Sequence, residues 1–421
     1  MRAKCLAMTL LLVAVVVLMA ATTKNEPGRA LRVEPMDSPA PAGAIVPQAT
    51  ITAKGHIILS WQEPLQGGGY RFGMSTRHGD LWSPVRTIAE GSDLSMFSAD
   101  LPGVAEMPTG SLLAYWELKD TGGGDKYATG IQIAASQDGG KTWSKPSRPY
   151  RDVPSGQHSF ISAFPVGQKL GLVWLDARQR SVHPPMEGHM HGETGAIGLR
   201  YVSVDTHGKI TEDAFVDPIT CECCPTSAAV TRRGPVVVYR NRDEAPGTEP
   251  AQVESARPTV RDIYISRLEN GTWTEPHRVF ADNWVIHACP DNGPAVDSRG
   301  DNVVVAWWTR SGDQPKVQVA FSSTSGDTFG RPIRIDQHAG EGQVTVAWIP
   351  GQEAAVVGWL EEQKVWARRV EANGKAGAPI LLGPSPRHAR LPRWVSRDHE
   401  ILAAFTKEDH GLSVQIVRIL P

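Results

Sequence analysis

Three of the chain's five cysteines crowd into four positions, Cys221, Cys223 and Cys224 in "DPITCECCPTS". Sulfur at that density serves disulfide bridging, thiolate ligation of a metal, or thiol redox chemistry. Cys289 follows in "IHACPDNGP", two residues after His287. An earlier run, "HPPMEGHMHGET", carries His183, His189 and His191 beside Met186 and Met190. If Cys221, Cys223, Cys224 and Cys289 are oxidised they form two bridges. Neighbouring Cys223 and Cys224 would pair only under strain, because a bridge wants Cα atoms about 5.5–6 Å apart. The favoured pairings therefore send one of the triplet across to Cys289. The competing use is a soft metal site, copper or zinc, on these four sulfurs with His287, His189 and His191. No standard pair of CxxC motifs supports it, so disulfides are preferred and no cofactor is expected.

A second set of residues suits anion recognition. Arg178, Arg240, Arg242, Arg261 and Arg310 mostly follow short apolar runs, as in "WLDAR", "YRNRD" and "WWTR". With Asp176, Asp243 and Asp262 nearby they form either loop salt bridges or a funnel of guanidinium forks for a carboxylate or sulfate. Trp284 and Trp308 are candidates for stacking against a sugar. If the protein is an enzyme, Asp243, Asp262 and Asp291 are the candidate acids or bases.

Compartment decides what the cysteines can do. The chain opens with Arg2 and Lys4, an apolar run of about 16 residues from Leu6, and small residues Ala20 and Ala21. That reads as a cleavable export signal over 1–21, short of the roughly 20 residues a bilayer span needs. Cys5 precedes the apolar run and is lost with it, and the product is expected to be periplasmic or secreted. Forty-three basic and 45 acidic side chains leave a net charge of −2. Neither nucleic acid nor an anionic membrane is a suggested partner. A small-molecule or glycan ligand and a monomeric state are expected.

These residues need a scaffold, and two repeats supply one. "STRHGDLW", "SQDGGKTW", "SRLENGTW" and "SSTSGDTF" each place an aromatic seven residues after a serine, at Ser75, Ser136, Ser266 and Ser322. Only Ser136–Trp143 matches the Asp-box hairpin, S-x-D-x-G-x-T-W, in full; "SVDTHGK" from Ser203 is a fainter fifth. Independently, seven apolar runs end near Trp61, Trp116, Trp174, Tyr239, Trp307, Trp359 and Phe405, at intervals of 46 to 68 residues. Short continuous apolar runs bounded by turns are strands buried on both faces. The spacing predicts an all-β propeller of four-stranded blades, seven preferred over six, with a β-sandwich as the competing architecture. A single propeller domain is expected over 47–421. The 22–46 segment precedes it, and "ALRVEP" there can supply the strand that closes the ring. In such a ring the blade-to-blade links and the links between second and third strands share one face. That face would collect the cysteines, histidines and arginines.

The Asp-box periodicity resembles that of sialidases and other Asp-box propellers. The stretch "CECCPTS…VVVYRNRD…RDIYISR…CPDNGP…VAWWTR", roughly residues 215 to 335, resembles exported bacterial sialidase-like proteins. The resemblance implies a propeller and export, and as the alternative to a binding module a glycan-active hydrolase. Sialidases use a late tyrosine nucleophile and an early Arg-Ile-Pro arginine. Here the last tyrosine is Tyr264 and no Arg-Ile-Pro occurs, so the resemblance carries over no catalytic residue.

Overall fold

In the computed structural model the described residues are 30–421 except 96–100, 121–127, 152–155, 180, 183–192, 195–196, 245–258 and 287. They form a seven-bladed β-propeller of antiparallel sheets, each running from the axis outward. Blade 1 is Ile45–Ile51, Ile57–Pro64, Tyr70–His78 and Arg86–Gly91. Blade 2 is Gly103–Glu106, Leu112–Lys119 and Thr129–Ser136, its outer strand reduced to an Ile133–Ser147 bridge. Blade 3 is His158–Val166, Lys169–Asp176, Gly198–Val204 and Ile210–Asp217. Blade 4 is Ser227–Thr231, Gly234–Arg240, Ile263–Glu269 and His277–Arg278. Blade 5 is Ala295–Arg299, Asn302–Thr309, Lys316–Ser322 and Ile333–Arg334. Blade 6 is Gly342–Trp348, Ala354–Glu361, Lys364–Glu371 and Ile380–Pro384.

Blade 7 takes three strands from the C-terminus, Val395–Arg397, Glu400–Glu408 and Leu412–Leu420, and its outer strand from the other end of the chain. Arg32–Met36 lies antiparallel to Leu412–Leu420 in continuous register from Arg32 opposite Leu420 to Met36 opposite Ile416. The seam thus joins distant chain ends within one sheet, so the ring cannot open without breaking a ladder.

Each of the seven apolar runs is the second strand of a blade. These strands are buried on both faces because blades stack like wedges, and among the described residues there are seven apolar cores, one at each blade–blade interface. Trp61, Trp174, Trp307 and Trp359 are fully buried in them. Three of these indoles donate to an acid two positions on: Trp61 to Glu63 at 2.8 Å, Trp174 to Asp176 at 3.0 Å and Trp359 to Glu361 at 2.8 Å. Glu361 also accepts the amides of Gln337 and His338, so a core strand anchors the link that precedes blade 6.

The serine-to-aromatic repeats are the turns after third strands, on the face opposite the blade-to-blade links. At Ser136–Trp143 the Asp138 carboxylate accepts Lys141 N and Thr142 N at 2.9 Å and Thr142 Oγ1 at 2.7 Å, while Ser136 Oγ accepts Gly140 N. Those bonds hold the Asp138 carboxyl well below its usual range. The repeat aromatics Trp82, Trp143, Trp273 and Phe329 each pack against the core shared with the preceding blade. Spacing recurs because the turn must deliver a ring to that interface.

Candidate functional site

The four sulfurs converge on the face formed by the blade-to-blade links. The link from blade 3 to blade 4 supplies Cys221, Cys223 and Cys224, and the link from blade 4 to blade 5 supplies Cys289. Cys221 pairs with Cys224, Cα atoms 5.6 Å apart, and Cys223 pairs with Cys289 across 6.2 Å. The sulfurs of Cys221, Cys223 and Cys224 lie within 4.8 Å of one another. Cys221 and Cys224 are buried, whereas Cys289 is exposed. His287, His189 and His191 lie outside the described residues, so the structure does not place the imidazoles of the metal reading.

Between the cysteines sits Glu222, which sequence reasoning quoted inside "CECC" without assigning it a part. Its carboxylate accepts Arg261 Nη1 at 3.1 Å, and its backbone carbonyl accepts Gln157 Nε2 at 2.8 Å from the link before blade 3. Burial would push the Glu222 carboxyl up, but the charges of Arg261 and Arg242 hold it below its ordinary value. The Arg261 guanidinium is nonetheless shifted down, first by burial and also by Arg242, despite Glu222. Two shifts of the same sign on an ion pair look contradictory, but the Glu222 carboxylate feels the charge of Arg242 as well as its contact with Arg261, whereas on Arg261 burial outweighs a single carboxylate.

The other arginines are placed differently. Arg240 is 1% exposed and donates inward to Asn292 O at 2.9 Å, Trp308 O at 2.7 Å and Arg261 O, with its guanidinium 5.1 Å from the Trp284 ring. It is a bolt between blades 4 and 5, and burial lowers its pKa to about 9. Arg178 forms a two-point pair with Asp176 in blade 3, through Nε at 2.8 Å and Nη2 at 2.7 Å. Arg310 stands at the solvent edge, more than half exposed, with only a 3.9 Å approach to Asp313. Trp284 is buried and meets Trp308 edge-on, ring centres 5.2 Å apart. Trp308 is half-buried, its indole N–H bonded to Gly340 O. Of the two, only Trp308 keeps surface facing solvent.

Asp243 and Asp262 are drawn together by Arg278, a residue sequence reasoning passed over. Its Nη2 is 2.9 Å from Asp243 and its Nη1 3.5 Å from Asp262. Asp243 also accepts the Tyr264 hydroxyl. Asp262 is fully buried and accepts the amides of Asn283 and Trp284; burial raises its carboxyl pKa. Asp291 has a left-handed backbone, φ +48°, and its carbonyl accepts Gln343 Nε2. A three-stranded rim sheet, Asp243–Glu244, Thr259–Val260 and Val285–Ile286, fastens these loops together. Each of its strands has two residues, too few for a periodicity to reveal.

No family model and no curated protein matches the chain. Among solved structures it is similar to a polysaccharide lyase described as an ulvan lyase, with TM-score 0.55 and 11% identity over 91% of this chain and 95% of that one. The ulvan lyase bound to -[GlcA(1-4)Rha3S]- aligns at TM-score 0.54 and 10% identity, with the same coverage. The polysaccharide lyase Uly1 aligns at TM-score 0.50 and 10% identity over 91% of each chain. The NanB sialidase from Streptococcus pneumoniae aligns at TM-score 0.45 and 12% identity, covering 91% of this chain and 69% of that chain. At these identities the likeness is one of fold: a propeller shared with glycan-active enzymes.

Proposed function

We propose that the protein is an exported glycan-binding module that takes an acidic saccharide on the disulfide-bearing face. The observation that carries this reading is the Glu222–Arg261 ion pair at 3.1 Å with Arg242 close enough for its charge to act on both side chains, so that two guanidiniums stand beside one carboxylate and favour an anion. Trp308, whose carbonyl meets the same Arg240 guanidinium as the Arg261 carbonyl, offers a partly exposed indole, and Arg310, two residues on, is a third cation. The ulvan lyase structure, bound to a saccharide carrying a uronate and a sulfate, supports the ligand class. Binding is favoured over hydrolysis because Asp243 and Asp262 share the Arg278 guanidinium, and Asp262 is sealed from solvent. Two carboxyls engaged in this way lack the open geometry that paired acid–base cleavage requires.

Charge variants test the reading. Glu222 is an internal competitor for the arginines, so Glu222→Gln should tighten binding of a uronate oligosaccharide, and Arg242→Ala should weaken it about tenfold. Unchanged affinity in both variants would remove the cluster from the binding site.

A second reading, thiolate ligation of copper or zinc, is favoured by the three sulfurs within 4.8 Å of one another. It requires the reduced chain, since bridged sulfurs are not thiolates. A free-thiol count with elemental analysis separates the two states: zero thiols and no metal eliminate the second reading.

A further inference from the structure

The four sulfurs form a graded series from solvent inward. Cys289 is exposed, Cys223 half-buried, and Cys221 and Cys224 are buried at 0% and 1% exposure. The two bridges divide that series unequally: Cys223–Cys289 has one exposed end, whereas both ends of Cys221–Cys224 are buried. Exchange requires a thiolate to reach a bridge sulfur, so a dithiol in solution meets the outer bridge at Cys289 and has no direct path to the inner one. One sulfur spans the gap. Cys223 Sγ lies 3.8 Å from Cys221 Sγ, so the two bridges touch through these atoms.

The surrounding backbone preserves that contact when the outer bridge opens. Cys221 N donates to Arg240 O at 3.0 Å and Thr220 pairs with Asn241, which fixes Cys221 to the end of the second strand of blade 4. Just past Cys224, Thr226 Oγ1 donates to Phe160 O at 3.0 Å and fixes the chain to blade 3. Glu222, between Cys221 and Cys223, is held through its carbonyl by Gln157 and through its carboxylate by Arg261. Packing holds the partner link as well: a Cβ on Gly293 would lie 2.0 Å from Pro225 O, so the chain shortly after Cys289 lies against the residue after Cys224. None of these restraints passes through the Cys223–Cys289 bond.

We propose that the cluster is a thiol–disulfide exchange relay through which a dithiol reductant reaches the buried bridge, with Cys223 as the carrier. A thiolate of the reductant attacks Cys289 Sγ, and Cys223 leaves as a thiolate. The reductant's second thiolate resolves the mixed disulfide, leaving Cys289 as a thiol and the reductant as its own disulfide. The Cys223 thiolate then attacks Cys221 Sγ; the Cys221–Cys223 bond forms, the Cys221–Cys224 bond breaks, and the Cys224 sulfur takes a proton from water. This step moves a bridge without net oxidation or reduction. It brings the remaining bridge to the half-buried Cys223 sulfur, where a second dithiol completes the reduction by expelling Cys221. The relay starts from the oxidised chain and rests on neither the saccharide nor the metal reading.

Limited reduction of the folded, full chain with one equivalent of dithiothreitol, trapping with N-ethylmaleimide and peptide mapping tests it. In molecules carrying two labels, one label should sit on Cys289 and the other should be shared between Cys223 and Cys224. Labels confined to Cys223 and Cys289, or to Cys221 and Cys224, would overturn the proposal. A rate measurement separates a relay from a loosened fold. Without the carrier, in Cys223→Ser/Cys289→Ser, excess dithiothreitol should reduce the inner bridge at least about tenfold more slowly than in the wild type. Loss of the outer bridge by itself loosens the links and would speed that reduction, so the expected change has the opposite sign to a structural defect. An inner bridge reduced as fast as in the wild type, or faster, overturns the proposal; if the variant does not fold, the wild-type label map decides.

Discussion

The two disulfides differ in what they constrain, and that difference can be measured. Cys223–Cys289 closes a loop with a sequence separation of 66 residues, whereas Cys221–Cys224 spans only three. Loop-closure entropy grows with the logarithm of that length, giving about 4 kcal/mol for the long loop and about 1.5 kcal/mol for the short one. The long bridge also ties the links flanking blade 4, so the unfolded chain gains most from its loss. Near the transition, unfolding entropy is about 2.1 cal/mol/K per residue, so over the ordered chain the two losses become about 5 °C and about 2 °C in Tm. Cys223→Ser/Cys289→Ser and Cys221→Ser/Cys224→Ser should be compared by calorimetry under oxidising conditions, with wild type in dithiothreitol as the limit for losing both. Equal Tm values for the two double variants, or an unreduced chain with four titratable thiols, would refute this assignment of bridges.

Other features of the ring give further expected outcomes. A chain beginning at residue 37 lacks the outer strand of blade 7 and leaves Leu412–Leu420 as an open edge; light scattering should show self-association absent from the longer chain. Gly358→Ala would place a Cβ 2.3 Å from Trp394 Cη2 and 2.9 Å from Thr345 Cγ2 between blades 6 and 7. Denaturant titration should register a loss of about 1–3 kcal/mol, the usual cost of overpacking a core. Burial tends to raise the Asp176 carboxyl, but the His158 imidazole, its Nδ1 3.5 Å away, and the hydrogen bonds from Arg178 outweigh it and hold the pKa below the unfolded value. A depressed folded pKa stabilises above the unfolded pKa of about 3.9 and is lost as pH falls through and below that value. Asp176→Asn should therefore flatten the acid limb of the stability profile; an unchanged limb would show that the pair contributes nothing.

Much of the scaffold is written locally in the sequence. The runs ending at Trp61, Trp174 and Trp359 announce doubly buried strands, and the acid two positions later is already the partner of the indole. The serine-to-aromatic spacing is equally local, because one hairpin both makes the turn and delivers the ring. The face shared by the cysteines follows from blade connectivity, and the structure gathers all four sulfurs there. What was not legible depends on long-range geometry. Nothing near Arg240 in the chain says that its guanidinium turns inward to three carbonyls rather than outward to a ligand. Arg278 emerges as the bridge between Asp243 and Asp262 only once blade 4 is assembled. Arg390 meets Thr226 across the axis, 164 residues away in sequence, a contact that no periodicity encodes.

We propose that the disulfide-bearing face binds an acidic saccharide without cleaving it. The most direct test is equilibrium dialysis of the oxidised protein against a labelled, sulfated uronate oligosaccharide, with chromatography of the recovered ligand. Saturable retention that weakens as salt rises is expected, with the ligand recovered intact. Shortened oligosaccharide, or no retention at low salt, would contradict it.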